Sequence, residues 1–323
     1  MLSLRSFLAE PIEQFIALHQ LSGSDYHSQA QLLGAFDRFV AEQVPPRPAQ
    51  LSAALLQVYQ AALAGLAPGT QANRWSVLCQ LCRYLAARDP QVYVPEPLAL
   101  RRALLHRRPY IYSYEQIQAL LGAAAALPPP DSLRPQTMQT LLGLLYCTGL
   151  RIGEAIALCL EDFQPAQRRL FVAAGKFRKA RWIALAPSAC QALSRYLERR
   201  LAFVPPPTQA PLFINLRARR LHHCSVNHDF HRLLAACSIA RTGPCSPRLH
   251  DLRHTFAVHR LLAWYRQGED LNARLAALAT YLGHVNIAST RYYLQPTAEL
   301  LGEGAQRFHT LYREQVKPPG GDA

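Results

Sequence analysis

The first 88 residues carry apolar side chains at helical spacing. Leu32, Phe36 and Val40 recur every four positions, and two later stretches repeat the pattern. Residues at this spacing lie on one face of an α-helix, and that face can pack against other helices. We predict a small domain of four helices over residues 1–88.

The pattern changes over residues 89–112, where the helical period fails. Prolines interrupt this stretch at positions 90, 95, 97 and 109. Proline-rich sequence without an apolar period is typical of a connecting segment. We therefore predict an interdomain linker here.

A second domain, predicted over residues 113–313, mixes helical patterns with short β-prone runs. Ser113 and Gln116 have the spacing of a capping box ahead of an apolar helix. Residues 168–174 and 181–186 are β-prone and flank a Gly-Lys loop. These runs predict two strands of a small antiparallel sheet.

Further elements are predicted in the same domain. Ser188 has the position of a helix cap, residues 211–215 could form a short strand, and helices are expected over most of 226–313. Residues 314–323 are predicted to form a flexible tail. The predicted fold class is mainly α, with a helical N-terminal domain and a mostly helical, α+β second domain that contains the small antiparallel β-sheet.

Composition indicates a core-forming protein without a membrane segment. The chain has 323 residues, of which 50% are hydrophobic and 17% charged, and this length suits two domains. No apolar run approaches the roughly 18 residues that a spanning helix needs. The eight cysteines are scattered, which suits a reducing compartment. We predict a cytoplasmic protein without a signal peptide.

The positive charge is concentrated beyond residue 90. The formal net charge is +14, yet residues 1–90 contain six Arg and no Lys against six Asp plus Glu, a sum of zero. A basic region favours a polyanion, because each neutralised phosphate releases a counterion. Nucleic acid is the predicted partner. The arginines predicted to contact its backbone are Arg101, Arg102, Arg107, Arg108, Arg178 and Arg181.

The motif TGLRIGE, residues 148–154, places Arg151 and Glu154 one helical turn apart. It follows a Thr-Gly turn that is predicted to end the preceding helix. The spacing lets the carboxylate hold the guanidinium group in place. Taken alone, such a pair is more often an ordinary surface ion pair.

The motif HDLRHTF, residues 250–256, places His250 and Arg253 on one face of a predicted helix, with His254 beside them. One face of this helix would therefore present an imidazole and a guanidinium group together. Taken alone, the motif is more often only the polar face of a helix.

A third motif, LGHVNIASTRYYLQ, places His284 after a glycine and ahead of the adjacent Tyr292 and Tyr293. Taken alone, two adjacent tyrosines are more often core aromatics. The chain also has only three lysines, and two of them, Lys176 and Lys179, lie in the Gly-Lys loop.

Two groups of potential metal ligands favour simpler interpretations. Cys79 and Cys82 lie within a helical pattern and have no partner pair, which favours core packing. A second group has loose spacing and suits a polar helix face: His222, His223, Cys224, His228 and His231. We predict no metal and no other cofactor.

The order of these motifs resembles the tyrosine recombinases, the phage-integrase-like family of site-specific recombinases, over about residues 108–310. The resemblance implies that residues 1–88 are a core-binding domain and 113–313 a catalytic domain, which together clamp double-stranded DNA. The residues that match the family's catalytic positions are Arg151, Lys176, His250, Arg253 and His284. The nucleophile then falls nine residues after the Gly-His histidine, at Tyr293.

This resemblance implies a role for each residue. Tyr293 would attack the phosphodiester and form a covalent 3′-phosphotyrosine, with help from His250 in removing its proton. Arg151, Arg253 and His284 would stabilise the charged transition state. Lys176, with Lys179 as the alternative, would protonate the leaving oxygen, since arginine is a poor proton donor. Glu154 and His254 would support these groups.

The sequence also departs from the family pattern. A proline commonly precedes the first histidine of the His-x-x-Arg motif, whereas Arg248 and Leu249 separate Pro247 from His250 here. The start of that helix is therefore left open. A neutral N-terminal domain is likewise unexpected in a DNA clamp.

The resemblance implies DNA recombination or integration by a homotetramer on two DNA sites, as in mobile elements, with other recombinase or accessory proteins as further partners. Two alternatives remain at this point. A type IB topoisomerase-like enzyme uses the same residues to nick and reseal one duplex. A non-cutting accessory protein would bind DNA with the same fold.

Overall fold

The computed structural model describes residues 3–23, 25–43, 51–98, 109–173, 180–205, 210–239 and 246–283. The chain forms two compact units, Met1–Arg107 and Arg108–Ala323. The division falls within the predicted linker. Among the described residues, no helix is long and apolar enough to cross a membrane.

The first unit is helical, as predicted. Its apolar faces form one core, with Ile12, Phe36 and Leu81 at 0–1% exposure. Cys79 and Cys82 are buried in the same core, where burial raises the pKa of Cys82 to about 12. The described helices are α1 (Ala9–Leu21), α2 (His27–Gln43), α3 (Ala53–Ala62) and α4 (Pro68–Ala86).

The beginning of the predicted linker packs on this first unit. The Trp75 indole Nε1 donates a hydrogen bond of 2.8 Å to the Glu96 carbonyl. Val94 and Leu98 are partly buried against the same helical core. The described part of the linker before residue 99 is therefore anchored to the first unit.

The second unit is built around one central helix, α6, which packs against α5, α8 and α10. Leu141, Leu142, Leu144 and Leu145 of α6 are all buried, as a helix surrounded by neighbours requires. The described helices of this unit are α5 (Tyr114–Ala125), α6 (Leu133–Thr148), α7 (Ile152–Ala157), α8 (Pro187–Phe203), α9 (His223–Ala236), α10 (Asp251–Arg266) and α11 (Leu271–Leu282).

A small antiparallel sheet lies within the second unit, which confirms the predicted fold class. Its order is β1 (Phe163–Gln164), β2 (Arg169–Val172) and β3 (Arg181–Ala184). Leu170 pairs with Ile183, and both are 0% exposed, so this face of the sheet covers the core. The sequence predicted β2 and β3 but not β1, whose two residues are too few to show an alternating pattern.

One of the two predicted helix caps in the second unit is confirmed. The capping box of Ser113 and Gln116 is confirmed at the start of α5. The predicted cap at Ser188 is wrong, because α8 begins one residue earlier at Pro187, after Ala186. Proline is favoured at the first helical position, since no intrahelical acceptor exists there for an N–H group.

The predicted strand over residues 211–215 is also wrong. Pro211 and Ile214 form only isolated bridges, with Cys159 and Arg220. Leu212, Phe213 and Ile214 are buried, but no strand among the described residues extends the pairing beyond these bridges. An apolar run of this length fits either arrangement, so tertiary packing decides.

Candidate active site

A tight turn between α6 and α7 positions Arg151. α6 ends at Thr148, and Gly149 follows in the left-handed conformation with φ +63°, which confirms the predicted Thr-Gly turn. A Cβ atom on Gly149 would lie 2.6 Å from Phe256 Cδ1 and 2.7 Å from Leu282 Cδ2. Only glycine therefore lets α10 and α11 approach this turn so closely.

Arg151 and Glu154 form the predicted pair at the start of α7. Arg151 Nη1 donates to Glu154 Oε1 at 2.9 Å, and the Arg151 backbone N–H donates to Oε2 at 3.0 Å. The Glu154 side chain is 3% exposed, whereas that of Arg151 keeps 24% exposure. The carboxylate thus holds a guanidinium group that remains accessible from outside the protein.

Arg181 is the second cation on Glu154. Its Nη1 and Nη2 donate to the two carboxylate oxygens at 3.2 and 2.9 Å. Burial by itself would raise the pKa of Glu154, but hydrogen bonds from Arg181 and Arg151 and their positive charges lower it overall. Glu154 is therefore held as a carboxylate between two guanidinium groups.

Arg253 lies on α10 and is 2% exposed. Its Nη1 donates to the Gly149 carbonyl at 2.6 Å, and its Nη2 donates to the Leu282 carbonyl at 2.7 Å. These bonds connect the Arg151 turn to the end of α11 through the Arg253 guanidinium group. Residues that are distant in sequence are thereby brought into one site.

His250 immediately precedes α10, which begins at Asp251. Asp251 accepts hydrogen bonds from the Arg248 N–H at 2.8 Å and from its guanidinium group at 3.1 Å. This contact fixes the turn that leads into α10 and answers the question of where the helix starts. His250 packs edge-on to His254, with ring centroids 5.0 Å apart.

The His250 ring is neutral at neutral pH. Although the residue is exposed, partial loss of hydration around its ring lowers its pKa to about 4, with further lowering by His254 and Arg253 and an opposing effect of Asp251. A neutral imidazole has a nitrogen that can accept a proton. This is the state that a base requires.

α11 ends beside these groups. Gly283 adopts φ +67° directly after the helix, and the next residue along the chain is His284. Several predicted residues lie outside the described residues: Lys176, Arg178, Lys179, His284, Tyr292, Tyr293 and the linker arginines Arg101, Arg102, Arg107 and Arg108.

The sequence predicted a DNA contact for Arg181, but the structure places its guanidinium group against Glu154. Tyr281, whose carbonyl accepts from Arg181 Nε at 3.0 Å, was not predicted as a site residue at all. Its position one residue before the Leu-Gly-His motif is the only signal in the sequence. Within the described part of the chain, no group of three or more His, Cys, Asp or Glu could hold a metal ion.

Residues 112–299, more than half of the chain, match the model of the phage integrase family. The chain belongs to this family. It is 35% identical over 301 residues to the putative integrase/recombinase y4rE of Sinorhizobium fredii, covering 93% of this chain and 96% of the relative. It is also 32% identical over 259 residues to the tyrosine recombinase XerD of Caulobacter vibrioides, covering 78% of each.

Two solved structures share the fold. The XerH site-specific recombinase in its post-cleavage complex with a palindromic difH substrate matches with a TM-score of 0.64 and 18% identity, covering 87% of this chain and 79% of that one. The Tn1549 transposon integrase with circular intermediate DNA matches with a TM-score of 0.64 and 19% identity, covering 92% and 99%. As a family member, this protein is a site-specific tyrosine recombinase that cleaves and rejoins DNA.

Proposed function

We propose that this recombinase uses Tyr293 as its nucleophile and Arg151, Arg253, His250, His284 and Lys176 as its catalytic residues. The observation that carries this proposal is the pair of Arg253 hydrogen bonds to Gly149 and Leu282. They join the Arg151 turn, the His250 helix and the end of α11, after which the chain reaches His284 and Tyr293.

The reaction follows from these groups. The Tyr293 hydroxyl attacks the phosphorus, its proton passes to His250, and the bond from phosphorus to the 5′ oxygen breaks. Lys176 protonates that leaving oxygen, which leaves a 3′-phosphotyrosine and a free 5′ hydroxyl. A 5′ hydroxyl of the exchanged strand then attacks the phosphotyrosine and releases Tyr293.

Arginine suits the transition state of this reaction. Negative charge builds up on the non-bridging phosphate oxygens, and fixed N–H donors aimed at them lower the barrier. Arg151 is held by Glu154 yet keeps part of its side chain exposed, so its guanidinium group can turn donors toward a phosphate. Because the phosphotyrosine keeps the energy of the broken bond, rejoining needs no ATP.

Double-stranded DNA is the substrate of this proposal, bound by a homotetramer on two sites. Relatives support the DNA part of this proposal, since a λ integrase dimer was solved bound to a COC′ core site. The positive charge beyond residue 90 and the linker arginines supply the contacts with the phosphate backbone. In this proposal, the first unit is the core-binding domain of the DNA clamp, and the second unit is the catalytic domain.

The nucleophile can be tested with a nicked duplex made from the DNA that flanks the gene, because the nick lets the cleaved strand diffuse away and traps the adduct. We expect the wild-type chain to form a covalent adduct that runs slowly on a denaturing gel. Tyr293→Phe should abolish the adduct and leave binding nearly unchanged. The matched control, Tyr292→Phe, should still form it. The reverse pattern would assign Tyr292 as nucleophile, and no adduct from the wild type would refute cleavage of this DNA.

A further inference from the structure

The guanidinium group of Arg181 connects three elements of the second unit. Arg181 is the first residue of β3, and its side chain is only 13% exposed. Two of its nitrogens donate to Glu154 on α7 at 3.2 and 2.9 Å, and the third, Nε, donates to the Tyr281 carbonyl on α11 at 3.0 Å. No other side chain named in this site joins β3 to both helices.

Through the Glu154 carboxylate, Arg181 also restrains Arg151. Each oxygen of Glu154 accepts one bond from Arg181 and one from Arg151. The carboxylate is buried, so its position depends on these four donors more than on water. Where Arg181 holds Glu154 therefore determines where Arg151 is held.

The end of α11 is restrained by the same guanidinium group. The last carbonyls of a helix lack partners within the helix and carry partial negative charge, which favours a cation beside them. Arg181 binds the Tyr281 carbonyl and Arg253 binds the next one, at Leu282. A Cβ atom on Gly283 would lie 3.0 Å from Arg181 Nη1, so Gly283, the residue before His284, packs directly on Arg181.

A second contact ties β3 to α11. The Tyr281 hydroxyl donates to the Ala184 carbonyl at 3.0 Å, while its own carbonyl accepts from Arg181. Tyr281 is thus bound to the first and the last residue of β3. In the sequence, β3 begins five residues after Lys176.

We propose that Arg181 is a positioning residue of the recombination reaction, which holds Arg151 through Glu154 and holds the end of α11 that leads into His284. The assignment rests on the catalytic roles proposed above for Arg151 and His284. It replaces the predicted contact between Arg181 and DNA phosphate. Arginine is required here because its planar group grips a carboxylate with two donors while a third reaches a carbonyl, which lysine cannot do.

The test compares DNA binding with cleavage in the full-length chain. Binding of Arg181→Ala to a 40-base-pair duplex of arbitrary sequence is measured over a range of salt concentrations. Adduct formation is measured in a single turnover on the nicked flanking duplex at saturating protein. We expect an unchanged salt dependence and an adduct rate about 10²-fold lower, the scale for a small misplacement of catalytic groups. Arg169→Ala, on the neighbouring strand, should leave the adduct rate near wild type.

Two further variants show whether Arg181 acts through Glu154. Arg181→Lys keeps the positive charge but loses the two parallel donors of the guanidinium group, so adduct formation should remain slow. If Arg181 were a phosphate contact, lysine would largely restore it. The double variant Arg181→Ala with Glu154→Gln should be no slower than the slower single variant, because the two act as one unit. The double variant also removes both buried charges together. It should therefore fold even if Arg181→Ala alone unfolds, and it then serves as the comparison.

Several outcomes would overturn this assignment. A salt slope reduced by about one with a normal adduct rate at saturation would make Arg181 a phosphate contact. Additive losses in the double variant would show that Arg181 does not act through Glu154. An active wild type with an equally active Arg181→Ala would refute the positioning role alone, whereas an inactive wild type would refute the proposed function itself.

Discussion

Arg151, Arg181 and Arg253 carry the same guanidinium group in different surroundings. Arg253 is buried between two backbone carbonyls, and Arg181 is bound to a carboxylate and a carbonyl. Arg151 shares that carboxylate yet retains 24% of its side-chain exposure. Of the three, Arg151 is the one most open to a phosphate that approaches from solvent.

His250 gives a prediction for pH dependence. Its pKa of about 4 lies below the ordinary 6.5 because its ring has lost part of its hydration and lies beside His254 and Arg253. The unfolded chain thus takes up this proton at a higher pH than the folded chain. This histidine therefore makes the free energy of unfolding rise with pH between about 4 and 6.5, and the contribution is lost as pH falls through that window.

NMR titration of the histidine side chains measures this directly. In the free protein, His250 should stay neutral down to about pH 5, and His250→Gln identifies its signals. Binding of a duplex should raise its pKa, because phosphate charge favours the imidazolium form. A midpoint near 6.5 in the free protein would contradict the environment described here.

At the scale of elements, the site depends on how closely α6, α10 and α11 approach one another. The turn at Gly149 contacts Phe256 of α10 and Leu282 of α11, and its carbonyl receives Arg253. A short turn without a side chain lets one carbonyl reach a buried guanidinium group. The helices thus position the groups proposed to be catalytic through backbone atoms as much as through side chains.

Gly149→Ala should destabilise the protein by about 2–5 kcal/mol, from the left-handed backbone and the clash with the two neighbours. Gly122→Ala is the matched control, because Gly122 lies in α5 with nothing within 4 Å of an added Cβ. There, alanine should stabilise the helix by about 0.5–1 kcal/mol. Urea unfolding of both variants checks the prediction, and equal effects would refute it.

At the scale of the whole molecule, the two units differ in charge. Each has its own apolar core, but the net positive charge of +14 comes entirely from beyond residue 90. Non-specific attraction to DNA grows with the number of phosphates neutralised. Most of that attraction should therefore come from the linker and the second unit.

Paired charge removal in the full-length chain tests this distribution. Replacing Arg101 and Arg102 with glutamine should make the slope of log K against log salt shallower by about two, at about 0.9 per phosphate contact. The matched control replaces Arg83 and Arg88, which are exposed on the first unit, and should change the slope much less. Fluorescence titration with one duplex at several salt concentrations gives both slopes. A larger change in the control would show that local patches, not summed charge, govern binding.

The sequence by itself determined the features that depend on near neighbours. Helical periods, the capping box at Ser113, the Thr-Gly turn and the Arg151–Glu154 pair all involve residues within one turn of each other. The order of the motifs was enough to indicate the family. Periodicity and spacing report such local geometry because they reflect the fixed rise and turn of a helix or strand.

Only the tertiary structure decided how these segments meet. Arg181 lies 27 residues from Glu154, and Arg253 lies 104 residues from Gly149. From the sequence, only the positive charge of Arg181 could be interpreted, and that charge favoured a contact with DNA. In the folded chain, a buried carboxylate and the carbonyl groups at the end of α11 offered closer partners, and burial strengthens such contacts relative to water. The physical reason is that long-range pairing depends on which surfaces the packing brings together, and no local pattern records that.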